Sequence, residues 1–210
     1  MAFWNEAQLE PKRKFKFIMR IPGGGVRDGV DLKIPEYVVK KAGKPSFSIT
    51  EAKHQFLGHS FYFPGKLEWK EVDVTVVDAG GFNEQDLSNL AGTDKSGGVQ
   101  NDTTKSIMQL LAEFGYQHPT ATANAVTAGT QPKTFSKYAG TAALGDVSFE
   151  SIDSNGNTVE KWTLKNAWVK EVNFGDGDYS SDDVVDVTLK IRYDWAEFQS
   201  EGTGTVYPLQ

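Results

Sequence analysis

Alternation of apolar and polar residues is the dominant pattern along this chain. The clearest case is segment 183–194, where every second residue is apolar: Val185, Val187, Leu189, Ile191 and Tyr193. Segments 14–21 and 67–77 show the same period of two, with Val72, Val74 and Val76 on one face of the second. Because successive side chains of a strand point to opposite faces, the pattern predicts half-buried strands in all three segments.

Turn signals divide the other apolar segments into further strands. These predicted strands are 34–50 (as two strands broken at 42–45), 55–63, 147–152, 158–164 and 168–174. Asn155-Gly156 favours a hairpin between two of them, because both residues tolerate the positive φ of a tight turn. Pro64-Gly65 predicts a turn that ends the strand at 55–63.

One segment has the period of a helix. Its apolar residues recur at spacings of three and four: Ile107, Met108, Leu110, Leu111 and Phe114. Asp102 or Thr103 can cap the first turn, and Gly115 suits the position after the last. We expect this stripe to cover a sheet. Residues 117–137 are rich in Thr, Ala, Gly and Pro and predict a long surface loop.

Many strands, one helix and no alternation of strands with helices predict a mainly β fold. We expect two packed antiparallel sheets, sandwich-like or barrel-like, with one flanking α-helix and long loops. The 210 residues suit a single domain over 1–210. Within it we expect an N-terminal arm at 1–12, a loop insertion at 117–137 and a C-terminal extension at 199–210.

Composition narrows the classes of function. The chain has no Cys, which excludes disulfides and thiolate chemistry within it, and the first residues lack the apolar core of a secretory signal. Residues 1–60 carry 11 Lys and Arg against 6 Asp and Glu, whereas residues 61–210 carry 11 against 22. This asymmetry favours head-to-tail self-association, although chance and solubility explain it equally well. The net charge of −6 argues against sequence-specific DNA binding.

No group of residues in the sequence predicts catalysis. The three histidines are His54, His59 and His118, and the first two are expected to point to opposite faces of one strand, where they cannot share a metal. Gly58-His59-Ser60 begins like a nucleophile elbow, but Tyr62 stands where the final Gly belongs. The acidic run 176–183 lacks the Gly and Glu of an EF-hand loop. We therefore expect no enzyme activity, no metal and no cofactor.

Three segments together resemble a known family. The first runs from Phe3-Trp4 to the basic and apolar stretch 11–17, and the second from 62–69 to 76–78. The third combines the W-x-L-x-x-x-W of 162–168, the FG-x-x-DYSSD of 174–182 and the RYDWA of 192–196. The combination is similar to the tail tube proteins of contractile-tailed bacteriophages, and the three segments cover about half of the chain.

The resemblance implies a structural subunit without catalytic activity. It implies two packed antiparallel sheets with a flanking helix, and hexameric rings that stack head to tail into the inner tube of a virion tail. Assembly would take place in the host cytoplasm. The implied partners are further copies of the chain, the tail sheath protein, the baseplate and tail terminator proteins, and the tape-measure protein and genomic DNA in the lumen without sequence specificity. No membrane is implied.

The resemblance also implies which residues lie between subunits. They are Phe3, Trp4, Lys12, Arg13, Pro64, Gly65, Trp69, Phe174, Gly175, Tyr179, Tyr193, Asp194 and Trp195. It does not decide which strand face lines the lumen. We expect that shortening the loop at 117–137 harms ring contacts less than altering Tyr193 or Trp195.

The predicted sheet edges are consistent with assembly of many copies into a ring, and two other kinds of protein are consistent with the same sequence features. A small antiparallel domain has open sheet edges, and oligomeric closure of long strands such as 67–77 and 183–194 would remove them. A related tube, from a phage-derived bacteriocin or a type VI-like injection system, would show the same features. From another class, a carbohydrate-binding β-sandwich would use exposed members of the five Trp.

Overall fold

Antiparallel strands make up most of the described chain, which confirms the predicted mainly β class. The computed structural model describes residues 11–24, 26–27, 30–80, 102–127, 134–200 and 206–207. The strands are β1 (Phe17–Arg20), β2 (Val26–Arg27), β3 (Val30–Asp31), β4 (Val39–Ala42), β5 (Phe47–Phe56), β6 (His59–Trp69), β7 (Val72–Val77), β8 (Val147–Ile152), β9 (Thr158–Lys165), β10 (Trp168–Asn173), β11 (Asp186–Arg192), β12 (Trp195–Ser200) and β13 (Val206–Tyr207). The helices are α1 (Thr103–Glu113), α2 (Pro119–Thr127) and α3 (Lys137–Leu144), with a 3₁₀ turn at Glu36–Val38.

Two larger sheets share one hydrophobic core. A five-stranded sheet has the order β1-β8-β9-β12-β13, and a four-stranded sheet the order β10-β11-β7-β4. In the four-stranded sheet Val187, Leu189 and Ile191 pair with Val76, Val74 and Val72, and all six side chains are fully buried. The five-stranded sheet adds Met19, Val147, Phe149, Leu164 and Ala196 to the same core. The predicted alternation in 14–21, 67–77 and 183–194 therefore does identify the buried faces.

Helix α1 begins and ends where the sequence predicts. The Asp102 carboxylate accepts a hydrogen bond from the Lys105 backbone N–H at 3.0 Å, and Gly115 follows the helix with φ of +110°. Ile107 and Leu110 are buried, whereas Met108 is half exposed. A Cβ at position 115 would lie 2.3 Å from the Thr134 carbonyl oxygen, so glycine suits this position for both backbone and space.

The expectation of a single helix is wrong. Residues 119–127 of the predicted loop form α2, with Pro119 in the first turn, where its missing N–H costs nothing. Helix α3 follows Ser136, whose hydroxyl accepts from the Ala139 N–H at 3.1 Å. Its buried face is made of Gly140, Ala143 and Leu144. Small residues give this face little apolar contrast, and the periodicity is therefore weak in the sequence.

The prediction of a strand at 55–63 that ends at Pro64-Gly65 is wrong. Residues Leu57-Gly58 form the turn instead, with φ of +44° and +80°, and β6 continues through Pro64-Gly65 to Trp69. A bulge lies there, because the register between β5 and β6 shifts between Ile49 and Glu51. Bulges accommodate proline within a ladder, and Gly65 lets the Thr50 hydroxyl accept from the Lys66 N–H at 2.8 Å.

Two predicted long strands are shorter than expected. The segment 67–77 is divided at Lys70-Glu71, since β6 ends at Trp69 and β7 begins at Val72. The regular ladder of the segment 183–194 is β11, Asp186–Arg192. The predicted strands at 147–152 and 158–164 form the hairpin β8–β9, whose turn is organised by the Asp153 carboxylate accepting from the Asn155 and Asn157 N–H groups.

Candidate assembly surfaces

The hairpin β5–β6 is the most exposed regular element of the described chain. Its strands pair with each other and with no other described strand. Large apolar side chains at its tip are open to solvent: Leu57 is 83% exposed and Phe61 50%. The register pairs Phe56 with His59, His54 with Phe61 and Ala52 with Phe63, which places Phe56, Phe61 and Phe63 on one face. An aromatic face of this kind is typical of a protein contact surface.

The hairpin is anchored in the core at its root. The Phe47 and Trp69 rings meet edge to face at 5.4 Å between centroids, and Trp69 packs on Tyr193 at 5.9 Å. The Lys70 N–H donates to the Ser46 carbonyl at 2.8 Å. The root is therefore held by the subunit itself, whereas the tip projects from it.

Tyr193 and Trp69 consequently have structural roles inside the subunit. Tyr193 is only 3% exposed, and burial raises the pKa of its phenol. The resemblance implied an intersubunit position for both residues, but in this structure their contacts support the hairpin root. A substitution at Tyr193 would act first through the fold.

The other residues implied as interface lie at several separate places. Pro64 and Gly65 lie at the hairpin bulge, Arg13 is exposed before β1, and Tyr179 is fully exposed in the 174–185 connection. The Asp194 carboxylate binds the Lys137 ammonium at 2.6 Å and accepts from the Asn166 amide at 2.8 Å. Hydrogen bonding from Lys137 lowers the pKa of Asp194.

Trp195 is the most accessible tryptophan among the described residues. It is 40% exposed on β12, and its Nε1–H donates to Glu197 at 3.4 Å. Phe3 and Trp4 lie outside the described residues.

An apolar groove runs between the helices and the edge strand β10. Its volume is 610 Å³, and Met108, Phe114, Phe135, Trp168 and Phe174 contribute to its lining. Phe174, implied as an interface residue, lines this groove, and the implied Gly175 follows it in the chain with φ of +74°. At this place a concave apolar surface lies beside the edge strand β10 of the four-stranded sheet.

A buried carboxylate lies near the N-terminal segment and the hairpin root. Glu160 on β9 accepts hydrogen bonds from Lys12, Lys44 and, at 2.8 Å, the Ser151 hydroxyl. Burial opposes ionisation of Glu160, but the hydrogen bonds from Lys12, Lys44 and Ser151 outweigh it and lower its pKa to about 2. The carboxylate is therefore ionised throughout the physiological range.

Part of the charge asymmetry between the two parts of the sequence is used in ion pairs within the chain. Basic residues of 1–60 pair with acidic residues further along: Lys12 and Lys44 with Glu160, Arg20 with Glu150 at 3.4 Å, and Lys40 with Asp186 at 2.6 Å. The reason is topological, since β1 pairs with β8 and β4 lies beside β7. In these pairs the basic and acidic residues lie next to each other, so they do not form a basic end and an acidic end of the molecule.

The prediction that His54 and His59 point to opposite faces is wrong. They lie on neighbouring strands of the hairpin, in pairs two positions apart along the ladder, and therefore on the same face. The early turn at Leu57-Gly58 is the physical reason. Over the described ranges, no group of three or more His, Cys, Asp or Glu is arranged to hold a metal ion.

No helix among the described residues is long and apolar enough to cross a membrane.

Sequence reasoning missed the hairpin tip and Glu160. The alternation of Ala52, His54 and Phe56 was a usable signal for the first, but the Pro64-Gly65 dipeptide obscured it. Nothing local marks Glu160, because Lys12 and Lys44 are distant from it in sequence.

These features define a mainly β domain with two packed antiparallel sheets, edge strands without a partner among the described strands, and one projecting hairpin. No known family model matches the chain, and no curated protein matches its sequence. Among solved structures, a chain of the six-fold symmetrised baseplate of the anti-feeding prophage has a TM-score of 0.53 and 12% identity, covering 92% of this chain and 98% of that one. A chain of the tube terminating cap of the anti-feeding prophage has a TM-score of 0.51 and 14% identity, covering 95% and 99%.

At this level of identity the likeness concerns the fold. It extends over nearly the full length of both compared chains. The fold implied by the resemblance to contractile tail tube proteins is therefore the fold that this chain has.

Proposed function

We propose that this chain is a structural subunit that forms hexameric rings, which stack into the inner tube of a contractile tail. The observation that carries the proposal is the projecting hairpin β5–β6, whose strands pair with no other described strand and whose Phe56, Phe61 and Phe63 side chains are at least half exposed. A contiguous apolar face is unfavourable in water, and burial by a neighbouring copy would stabilise it.

The sheet edges supply the second kind of contact in this proposal. Strands β1 and β13 end the five-stranded sheet, and β10 and β4 end the four-stranded sheet. Edge strands carry unpaired backbone N–H and C=O groups, and pairing around a ring removes such edges. The likeness in fold to a chain of a six-fold symmetrised baseplate supports the proposal of a ring.

The narrower proposal is a bacteriophage tail tube that conducts genomic DNA. It is supported by the resemblance of the three sequence segments to contractile-phage tube proteins. The proposed partners are the tail sheath, baseplate, terminator and tape-measure proteins, and the proposed place is the virion tail, assembled in the host cytoplasm. The chain is proposed to have no enzyme activity.

Paired charges support a tube wall to which DNA does not adhere. On the polar face of the four-stranded sheet, Lys190 binds Glu171 at 2.8 Å and Arg192 lies 3.7 Å from Glu71. Cations already paired with carboxylates release fewer counterions on meeting phosphate, so they contribute less to nucleic-acid affinity.

A tube from a phage-derived bacteriocin or a type VI-like injection system has the same physical requirements. Genes for capsid and DNA-packaging proteins beside the gene for this chain would favour the phage tail. A neighbourhood with sheath and baseplate genes but no capsid genes would favour an injection system.

The assembly proposal is tested by negative-stain microscopy and sedimentation of the purified full chain. We expect rings or tubes from the natural protein. The variant F61S/F63S should stay folded but lose at least about tenfold in assembled fraction, because each buried Phe contributes roughly 1.5–3 kcal/mol.

Tyr138→Ser is the matched control, since Tyr138 is also an exposed aromatic side chain but lies on α3, outside the hairpin. It should assemble like the natural protein. A monodisperse monomer at high concentration, or equal assembly by F61S/F63S, would contradict the proposal.

A further inference from the structure

We propose that Glu160 is a positioning residue for assembly. Its carboxylate holds two segments to the same point of the five-stranded sheet: the N-terminal segment at 11–16 and the connection at 43–46, which leads into the hairpin root. This inference rests on the proposed function and adds the side chain that orients two of its contact elements. Glu160 itself contacts no neighbouring copy in this proposal.

The Glu160 carboxylate is buried within the β8–β9 ladder. The Glu160 side chain is 7% exposed, and Ser151, its direct partner across β8–β9, donates to it. Ser151 is buried as well. The serine and the ladder pairing therefore fix the carboxylate before either lysine reaches it.

The two lysines that bind Glu160 come from two different segments of the chain. Lys44 lies in the short connection between β4 and β5, so it leads directly into the projecting hairpin. Its ammonium also lies 5.4 Å from the centroid of the Phe149 ring, and the adjacent Gly43 N–H donates to the Asp73 carbonyl at 2.8 Å. Lys12 lies at the end of the predicted N-terminal arm, before β1.

The two lysines and Glu160 differ in how much their charges are removed from water. The Lys12 and Lys44 side chains are 54% and 47% exposed, so each ammonium keeps much of its hydration while it binds Glu160. Removing one lysine therefore costs the fold little, whereas Glu160 without cations would be a buried charge lacking its partners. The arrangement orders two chain segments at low cost to the fold.

Ordering these segments in the free subunit favours assembly. A segment that is held in its bound orientation loses less conformational entropy on binding. Both segments contain described residues that the resemblance places at the interface, namely Arg13 next to Lys12, and Pro64 and Gly65 in the hairpin. Loss of the Glu160 charge should thus lower assembly in addition to lowering the stability of the fold.

The test compares E160Q with E36Q, whose glutamate lies in the 3₁₀ turn and is also paired with two cations, Lys33 at 3.3 Å and Arg20 at 3.9 Å. We expect E160Q to be cleaved by trypsin after Arg13 about tenfold faster than E36Q, and to assemble about tenfold less. Near-ultraviolet circular dichroism should be unchanged in both variants.

A rescue variant separates positioning from a general loss of stability. S151E/E160S exchanges the two facing residues and returns the carboxylate to the neighbouring strand, within reach of the same lysines. It should recover most of the protection from trypsin and most of the assembly. If E160Q does not fold, K12M and K44M replace it, and each should lower assembly while the monomer stays folded.

The outcomes separate this inference from the proposed function. Tubes from the natural protein together with equal behaviour of E160Q and E36Q, or of K12M, K44M and the natural protein, would overturn the role of Glu160 alone. Absence of any assembly by the natural protein would overturn the proposed function, and with it the basis of this inference.

Discussion

Single buried charges in this subunit are stabilised by partners from distant parts of the chain. Glu150 and Glu160 are adjacent across β8–β9 but point to opposite faces, since their ladder partners are Lys161 and Ser151. Glu150 binds Arg20 at 3.4 Å and Lys161 at 3.2 Å, while Glu160 binds Lys12 and Lys44. A buried carboxylate needs such partners to remain charged.

The pKa of Glu160 predicts a specific acid sensitivity. Because its pKa is lowered from 4.5 to about 2 by folding, its contribution is complete above about pH 5 and is lost as the pH falls towards 2. The natural protein should lose up to roughly 3 kcal/mol of unfolding free energy from this group over that range. In E160Q this part of the loss should be absent, as urea unfolding at a series of pH values would measure.

Other carboxylates also have lowered pKa values, among them Asp194 and Glu36, so both proteins should become less stable in acid. The difference between the two curves isolates Glu160. Parallel curves for the natural protein and E160Q would contradict the assignment.

Tyr193 shows how a motif residue can take an unexpected role. The RYDWA segment led to the expectation that Tyr193 and Trp195 both make ring contacts. Tyr193 is buried against Trp69, whereas Trp195 is partly exposed. Only Trp195 therefore tests an interface at this segment without disturbing the core.

At the scale of elements, the hairpin β5–β6 combines a rigid root with a strained turn. Leu57 has φ of +44°, which is unfavourable for a residue with a Cβ, and its side chain is largely exposed. Nothing described in the subunit stabilises this conformation through packing of Leu57. The strain is compatible with a turn whose apolar side chain is used in assembly.

Leu57→Asn should stabilise the hairpin of the free subunit, because asparagine tolerates the left-handed region and Asn-Gly is a favoured two-residue turn. We expect amide hydrogen exchange in β5 and β6 to slow by up to about tenfold, corresponding to about 1.4 kcal/mol. Exchange in β7 and β11 serves as the internal control and should not change. Faster exchange in the hairpin would show that the Leu57 side chain stabilises the turn.

At the scale of the whole molecule, charge pairing and apolar exposure have different roles. Basic residues of 1–60 pair with acidic residues of other segments inside the subunit, while the aromatic tip of the hairpin remains exposed. The first feature stabilises the fold and leaves less charge for association. The second leaves an apolar surface that association can bury.

Assembly should therefore be insensitive to salt. Raising NaCl from about 0.1 M to about 1 M shortens the screening length from roughly 10 Å to roughly 3 Å and weakens attraction between surface charges. We expect the assembled fraction, measured by sedimentation, to stay constant or rise over this range. Dissociation of tubes at high salt would instead indicate head-to-tail electrostatic attraction.

The sequence by itself determined the features that depend on neighbouring residues. The alternation in 14–21 and 183–194 identified the buried faces, because strand geometry places every second side chain together. Asp102 and Gly115 marked the ends of α1, and Asn155-Gly156 marked the β8–β9 turn, because capping and positive φ are local requirements.

Only the tertiary structure decided features that depend on contacts between distant segments. The β5–β6 turn lies at Leu57-Gly58 because pairing along the whole hairpin accommodates Pro64-Gly65 as a bulge. Tyr193 is buried because the hairpin root packs on it, and Glu160 receives lysines far from it in sequence. Such contacts join residues that are distant in sequence and form only when the chain has folded, so local residue patterns do not predict them.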